Sequence, residues 1–175
     1  MLVLVVNLGV SSFKYCLLDM NSGPREIARG AIGGIGVEGG KYSRHDAAVD
    51  EVLKQGDRPP DAIGFRVVHG GPLTGPALVT DHVLATIERF SDAAPMHNPA
   101  YLAVMHKLRE RLPRTPQVAV FETAFHQTIP LSRQVYAIPH EWTEKFGIRR
   151  YGSHGSSHQY IAARMAELLG GPKRL

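Results

Sequence analysis

The chain has 175 residues, of which 43% are hydrophobic and 21% are charged, so it can bury one substantial core and is not expected to be disordered. Its formal net charge of +4 is small and its basic residues are scattered, which argues against a nucleic-acid-binding protein; Lys173 and Arg174 are interpreted as a solvated tail. The single cysteine, Cys16, can form no internal disulfide and is expected to be a buried, unreactive side chain. Apolar residues 2–6 are too few for a signal peptide or a membrane span, and a cytoplasmic location is predicted.

The beginning of the chain is predicted to form strands joined by turns. Residues 2–6 are a continuous run of apolar, mostly β-branched residues, which is typical of a strand buried on both faces. Extended structure is predicted again at residues 13–19 and 25–32, with turns between the strands. The glycine-rich residues 30–40 are expected to form a loop or a frayed strand end.

Strands and helices are predicted to alternate through the rest of the chain. Two further strands are expected at residues 62–68 and 118–121. Four helices are predicted, each from a capping residue followed by apolar residues at helical spacing, and they begin near Ser43, at Asp81, at Asn98, and at Ser156 or Ser157. The whole pattern predicts an α/β protein with a mixed sheet and helices packed on it.

Polar residues and glycines cluster where the predicted buried strands end, which is where open α/β sheets bind ligands. In the first cluster, residues 7–14, a glycine-containing turn would let backbone N–H groups and hydroxyls approach phosphate oxygens, with Lys14 supplying charge. The Walker A pattern is absent. A purely structural hairpin turn is the alternative interpretation.

Arg66 and Glu122 are charged residues in or directly after otherwise apolar strands. Arginine is costly to bury without an anion, so Arg66 indicates an anion site, unless it lies partly exposed on an edge strand. A carboxylate in the position of Glu122 suits a general base or metal-linked chemistry, and a buried ion-pair partner is the alternative.

Histidines near two predicted helix starts are candidates for anion binding. His97 directly precedes a helix whose N–H dipoles favour an anion, although this segment alone favours the simpler interpretation of a loop with a helix cap. His154 and His158 are four residues apart, as zinc ligands on a helix can be. Gly155 places His154 before the helix rather than on it, and the glutamate of the zinc motif is missing, so an anion-binding histidine is favoured.

Five motifs, in this order and spacing, together resemble the acetate kinase family, although each alone is weak. Residues 7–14 resemble N-x-G-S-S-S-x-K, residues 66–71 resemble R-V-V-H-G-G, and residues 96–99 resemble L-H-N-P. Residues 123–127 match T-A-F-H-Q, and residues 149–155 match R-R-Y-G-x-H-G. The resemblance covers nearly the whole chain and is weakest between residues 23 and 60.

The resemblance implies a ribonuclease H-like fold of the kind shared with actin and sugar kinases. It implies that residues 1–175 form the N-terminal lobe, and that a C-terminal nucleotide-binding lobe is absent from this sequence. The implied activity is reversible phosphoryl transfer between ATP and acetate, giving acetyl phosphate and ADP, with Mg²⁺ accompanying the nucleotide. The complete family enzyme is expected to be a homodimer, with no nucleic-acid or membrane partner.

The resemblance also assigns roles to particular positions. Catalytic roles fall to Arg66, which would bind the carboxylate and the transferring phosphoryl group, and to Glu122, His97 and His154. Arg66, Val68, Met96 and Ser153 would bind the substrate, the last three around the acyl methyl group. Asn7, Ser12 and Lys14 would contact phosphate, with Asn7 also near magnesium.

Four positions depart from the family pattern. Val10 replaces a serine, Phe65 replaces a histidine, Glu122 stands where an aspartate is usual, and Ser153 replaces an aromatic residue. A non-catalytic module that binds phosphate or acyl phosphate therefore stays open as an alternative, as does a kinase of another short-chain acid such as propionate. Without a second lobe, the chain alone is expected to have negligible turnover.

Overall fold

The computed structural model describes residues 1–172 and contains one mixed sheet of six strands. The predictions for Lys173 and Arg174 lie outside the described residues. The strands are β1 (Leu2–Gly9), β2 (Ser12–Asp19), β3 (Arg25–Ile32), β4 (Ala62–Val67), β5 (Ala77–Leu78) and β6 (Gln117–Phe121). Their order across the sheet is β3-β2-β1-β4-β6-β5.

Strand direction brings three chain segments to one edge of the sheet. β1, β2 and β3 are antiparallel neighbours joined by short turns, whereas β4 pairs parallel to both β1 and β6. The short strand β5 lies antiparallel to β6 at the sheet's end. Because β1, β4 and β6 run in the same direction, their carboxyl ends meet at one edge.

In the part of the chain that the structure describes, six helices connect or follow the strands. They are α1 (Val49–Leu53), α2 (Asp81–Arg89), α3 (Asn98–Arg111), α4 (Leu131–Gln134), α5 (His140–Phe146) and α6 (Gly155–Leu168). Three short 3-10 segments lie at His45–Ala48, Ser91–Ala93 and Glu122–His126. Among residues 1–172, no helix combines the length and apolar character needed to span a bilayer.

The hydrophobic core lies on one face of the sheet. Alternate residues of β1 are fully buried there, together with residues of β4 and with the inner faces of α1, α2 and α3. The prediction that residues 2–6 are buried on both faces is wrong, because Val3 and Val5 on the opposite face are only half-buried. Cys16, expected to be buried, is likewise half-buried on that open face.

Several helix starts differ from the predicted capping residues. The hydroxyl of Thr80, not Asp81, caps α2 by accepting a hydrogen bond from the backbone N–H of Val83. Asn98 begins α3 as predicted, with Pro99 in its first turn. Neither Ser156 nor Ser157 caps α6: they lie inside the helix, and its cap position is held by His154.

The helix predicted from Ser43 begins later in the chain. Arg44 holds the cap position of a 3-10 turn at His45–Ala48, and α1 follows at Val49–Leu53. Val49 and Val52 are buried, as the apolar spacing predicted.

Candidate functional site: an arginine–glutamate pair at the strand ends

The candidate site lies where the carboxyl ends of β1, β4 and β6 meet. Asn7 is near the end of β1, Arg66 is the penultimate residue of β4, and Glu122 directly follows β6. The register pairs Val6 with Phe65 and Val67 with Phe121, which places these three side chains side by side. Parallel pairing therefore produces the arrangement, since the three residues are far apart in the sequence.

The guanidinium of Arg66 is held by two strand neighbours. Its Nε donates to Oε1 of Glu122 at 2.9 Å and its Nη2 donates to Oε2 at 2.7 Å, a two-pronged contact between planar groups. Its Nη1 donates to Oδ1 of Asn7 at 3.1 Å. β4 is an interior strand, so the interpretation of Arg66 as an edge-strand arginine is wrong.

Burial is uneven within this ion pair. The side chain of Glu122 is 2% exposed, whereas that of Arg66 is 32% exposed. Burial alone would raise the pKa of the Glu122 carboxyl, but hydrogen bonds from Arg66 and Ser156 outweigh it, and the pKa lies below its usual value. Glu122 is therefore an anionic ion-pair partner near neutral pH, which was the alternative interpretation of this residue.

The N-terminal turn of α6 packs directly on this carboxylate. The hydroxyl of Ser156 donates to Oε1 of Glu122. A Cβ on Gly155 would lie 1.9 Å from the backbone oxygen of Glu122, so only glycine permits this approach. His154 has a left-handed backbone, with φ at 54°, and its Nδ1 lies 4.0 Å from Oε2 of Glu122. At 74% exposure, its imidazole also faces solvent.

Tyr101 supports the site from the core side and was not predicted from the sequence. It is fully buried on α3, and its hydroxyl accepts from the N–H of Leu8 at 2.9 Å and donates to the carbonyl of Leu8 at 3.2 Å. Burial raises the pKa of its phenol. This contact fixes the end of β1 beside Asn7. In the sequence, nothing distinguishes Tyr101 from the other apolar residues of its helix. Ser156 is likewise indistinguishable from a helix cap, so neither residue was predicted to contact the site.

Two residues of the predicted phosphate cluster, Ser12 and Lys14, lie on β2, the strand beside β1. Lys14 is directly opposite Asn7 in the β1–β2 register and is exposed. It lines a cavity of about 540 Å³ on the open face of the sheet, together with Asn7 and Arg29. Ser12 lies opposite Gly9 at the hairpin turn, where its hydroxyl occupies the space that a side chain at Gly9 would need.

The four remaining predicted residues are not brought to Arg66 by any described contact. His97 holds the cap position of α3, and Met96 is 60% exposed in a separate cavity that Val10 also lines. Val68 packs against the hydrophobic core. The backbone carbonyl of Ser153 accepts from Nε2 of His126 at 2.7 Å. Within residues 1–172, no hydrogen bond or ion pair links these four residues to Arg66 or Glu122.

The arrangement suits an anion. A guanidinium has five N–H donors, and only three of those of Arg66 are used, so two can face a ligand. Two further donors are the imidazole of His154, 4.0 Å from Glu122, and Lys14, which lies opposite Asn7 on β2. The part of the chain that the structure describes has no group of three His, Cys, Asp or Glu residues able to hold a metal ion.

Comparison with known proteins places this chain in a family. Residues 45–174 match the acetokinase family. The chain is 46% identical, over 181 residues, to the acetate kinase of Micrococcus luteus, covering 97% of this chain and 47% of that protein. A crystal structure of Porphyromonas gingivalis acetate kinase superposes with a TM-score of 0.82 at 36% identity, covering 97% and 49%. The structure of a propionate kinase from Francisella tularensis gives 0.85 at 34%, covering 98% and 50%.

Sheet order, helix packing and these neighbours define an α/β protein of the ribonuclease H-like class, as the sequence predicted. The chain belongs to the acetokinase family, and thus to a family of kinases. It spans about half the length of the curated relatives it matches.

Proposed function

We propose that this chain is the N-terminal lobe of an acetate kinase, in which Arg66 binds the carboxylate and the transferring phosphoryl group. The complete enzyme would interconvert ATP and acetate with ADP and acetyl phosphate. The observation that carries the proposal is the three-strand arrangement, in which Glu122 and Asn7 hold the Arg66 guanidinium while leaving two of its donors unused.

Phosphoryl transfer needs little covalent chemistry from the protein, because most of the catalysis is positioning and neutralisation of charge on the equatorial oxygens. A guanidinium fixed by a buried carboxylate is already oriented, so it loses little freedom when an anion binds. His154 would donate to the same oxygens from the start of α6, with His97 in a supporting role. Lys14 and Ser12 would contact phosphate beyond them.

Magnesium would enter with the nucleotide. Oδ1 of Asn7, the predicted magnesium contact, accepts a hydrogen bond from Arg66, and both carboxylate oxygens of Glu122 accept hydrogen bonds. Mg²⁺ usually keeps several waters and binds through substrate phosphates rather than in a protein cage. Asn7 would thus act as an outer contact of nucleotide-bound magnesium, within a nucleotide site completed by a second lobe.

Two alternative functions are each favoured by one observation. Both carboxylate oxygens of Glu122 already accept hydrogen bonds from Arg66, which suits a module that binds acyl phosphate without turning it over. Ser153 stands where the family has an aromatic residue, which would leave the acyl pocket wider, and this substitution and the likeness to a propionate kinase suit a short-chain acid kinase. The homodimer of the complete enzyme, its cytoplasmic location and the exclusion of nucleic-acid and membrane partners stay predictions.

The experiment replaces the matched half of Micrococcus luteus acetate kinase by this chain and assays the resulting chimera beside the isolated chain. We expect the chimera to form acetyl phosphate from ATP and acetate, and the isolated chain to show negligible turnover. Arg66→Gln should lower kcat/KM of the chimera by about 100- to 1,000-fold, since it removes a preorganised charged donor. Arg25→Gln, at an exposed position at the start of β3 and outside the cavity, is the matched control.

Other results would change the proposal in specific ways. Full activity from the isolated chain contradicts its assignment as one lobe. A folded chimera that binds acetyl phosphate in calorimetry without transfer favours the non-catalytic module. Higher kcat/KM for propionate or butyrate than for acetate favours the short-chain acid kinase.

A further inference from the structure

Helix α6 presents an apolar face that no other described residue covers. Of its fourteen residues, only Gly155 is buried. Its apolar side chains are 42% to 68% exposed: Tyr160, Ile161, Met165 and Leu168. Within the described chain its principal packing partner is the 3-10 segment Glu122–His126, which approaches α6 most closely at Gly155.

A groove runs along this face beside the 3-10 segment. It encloses about 530 Å³, and we call it the α6 groove. Its principal lining residues are Phe125, His126, His158, Ile161, Ala162 and Met165. The rings of Phe125 and His158 stack at its start, 6.4 Å apart and nearly parallel. The groove is therefore an apolar channel with two imidazoles at one end.

Such a surface is unfavourable in water. A helix of about fourteen residues is marginal on its own, and most helical stability in proteins comes from packing an apolar face. Soluble proteins rarely expose large contiguous apolar patches unless they are interfaces. The α6 groove therefore has the character of a surface that another polypeptide covers.

The length of the relatives identifies the occupant. The chain matches 47% of the Micrococcus luteus protein and 49–50% of the two solved structures, so about half of each relative has no counterpart here. We propose that the α6 groove is the docking surface for this complementary half of an acetokinase, which would pack apolar side chains along α6. The inference rests on family membership and not on the reaction proposed above.

Docking at this groove would also act on the candidate site. The first residues of α6 are the ones that touch Glu122, through Gly155 and the Ser156 hydroxyl. His154, at the cap position, is exposed and lies 4.0 Å from the same carboxylate. A partner that fixes α6 therefore fixes the position of His154 relative to Arg66.

Two adjacent alanines provide a matched test. Ala162 lines the groove, whereas Ala163, about 100° further round α6, does not, and both are exposed in this chain. Ala162→Glu and Ala163→Glu are made in the isolated chain and in the chimera with Micrococcus luteus acetate kinase, and thermal unfolding midpoints are measured. Binding of an apolar fluorescent dye reports whether the groove is open.

In the isolated chain, we expect dye binding and nearly equal midpoints for the two variants, because both carboxylates face solvent. In the chimera, dye binding should be lost. The unfolding midpoint of the Ala162→Glu chimera should lie roughly 5 °C or more below that of the Ala163→Glu chimera, because Ala162→Glu buries an unpaired charge. Should Ala162→Glu prevent the chimera from folding, Ala162→Ser and Ala163→Ser give the same comparison at smaller amplitude.

Equal midpoints for the two chimera variants would overturn the proposal. So would sedimentation of the isolated chain as a dimer that Ala162→Glu dissociates and Ala163→Glu does not, because the occupant would then be a second copy. The readouts are stability, dye binding and mass, so they stand whether or not the chimera is an active kinase.

Discussion

The first 126 residues and the last described stretch, residues 127–172, are built differently. The first region contains the sheet, α1–α3 and every member of the buried hydrophobic cluster, which runs from Leu4 to Phe121. In the second region, α4 and α5 have no buried residue and α6 has only Gly155. The first region thus carries its own core, while the described part of the second depends on what it touches.

The candidate site belongs to both regions. Asn7, Arg66 and Glu122 come from the first, and their geometry is fixed by strand pairing. His154 and Ser156 come from the second, and their geometry depends on how α6 rests on Glu122. A rigid half of the site therefore meets a half that is held by few contacts, and three substitutions test this comparison.

Arg66→Leu should have the largest effect, on the first region. It leaves Glu122 buried without its charged partner, and breaking such a pair costs about 3 kcal/mol in the free energy of unfolding at pH 7. Denaturant titration measures the loss. Arg29→Leu, which removes an exposed arginine on the open face, should leave the free energy of unfolding unchanged. Equal losses for both variants would mean that the Arg66–Glu122 pair is not structurally important.

The loss in Arg66→Leu should shrink as the pH falls. In the unmodified chain the pKa of Glu122 is lowered, so its ionisation stabilises the fold above its ordinary value of 4.5, and this stabilisation is lost on acidification. In Arg66→Leu, burial of the unpaired carboxyl dominates and raises its pKa. Protonation as the pH falls therefore removes the buried charge that destabilises the variant. The two free energies of unfolding should therefore converge between pH 7 and pH 4. A pH-independent difference would exclude this cause.

Gly155→Ala should have the next largest effect, confined to the second region. The new methyl group would meet the backbone oxygen of Glu122 and the Cβ of Phe125, at 1.9 and 2.7 Å, so α6 must move away. Limited proteolysis should cleave residues 127–172 about ten times faster while the sheet stays protected, as a loss of about 1.4 kcal/mol in docking predicts. Gly75→Ala, with no atom within 4 Å of the added carbon, is the control. Unchanged cleavage would show that α6 docks without this contact.

Tyr101→Phe should have the smallest effect. It leaves the N–H and carbonyl of Leu8 without their buried partner, which costs about 1 kcal/mol in the free energy of unfolding. Tyr160→Phe removes the same hydroxyl from an exposed position of α6 and should change nothing measurable. The pair of variants compares one chemical change in the two regions, and a larger loss from Tyr160→Phe would reverse our description of them.

Prediction from the sequence succeeded where a pattern is local. The strands and the helix beginning at Asn98 were found from apolar periodicity and from proline in the first turn. In the second region it found α6 but missed α4 and α5, because Leu131–Gln134 and His140–Phe146 are short and carry no apolar stripe. The two-residue strand β5 is likewise too short to show a period.

For the site, the sequence by itself determined which residue types stand at the strand ends: Asn7, Arg66 and Glu122 interrupt apolar runs, and such interruptions are costly without a role. Only the tertiary structure decided that Glu122 holds Arg66, that Ser156 bonds to Glu122 rather than capping α6, and that Tyr101 fixes Leu8. These contacts join residues between 34 and 93 positions apart. They depend on strand register and helix packing, which local sequence patterns do not encode.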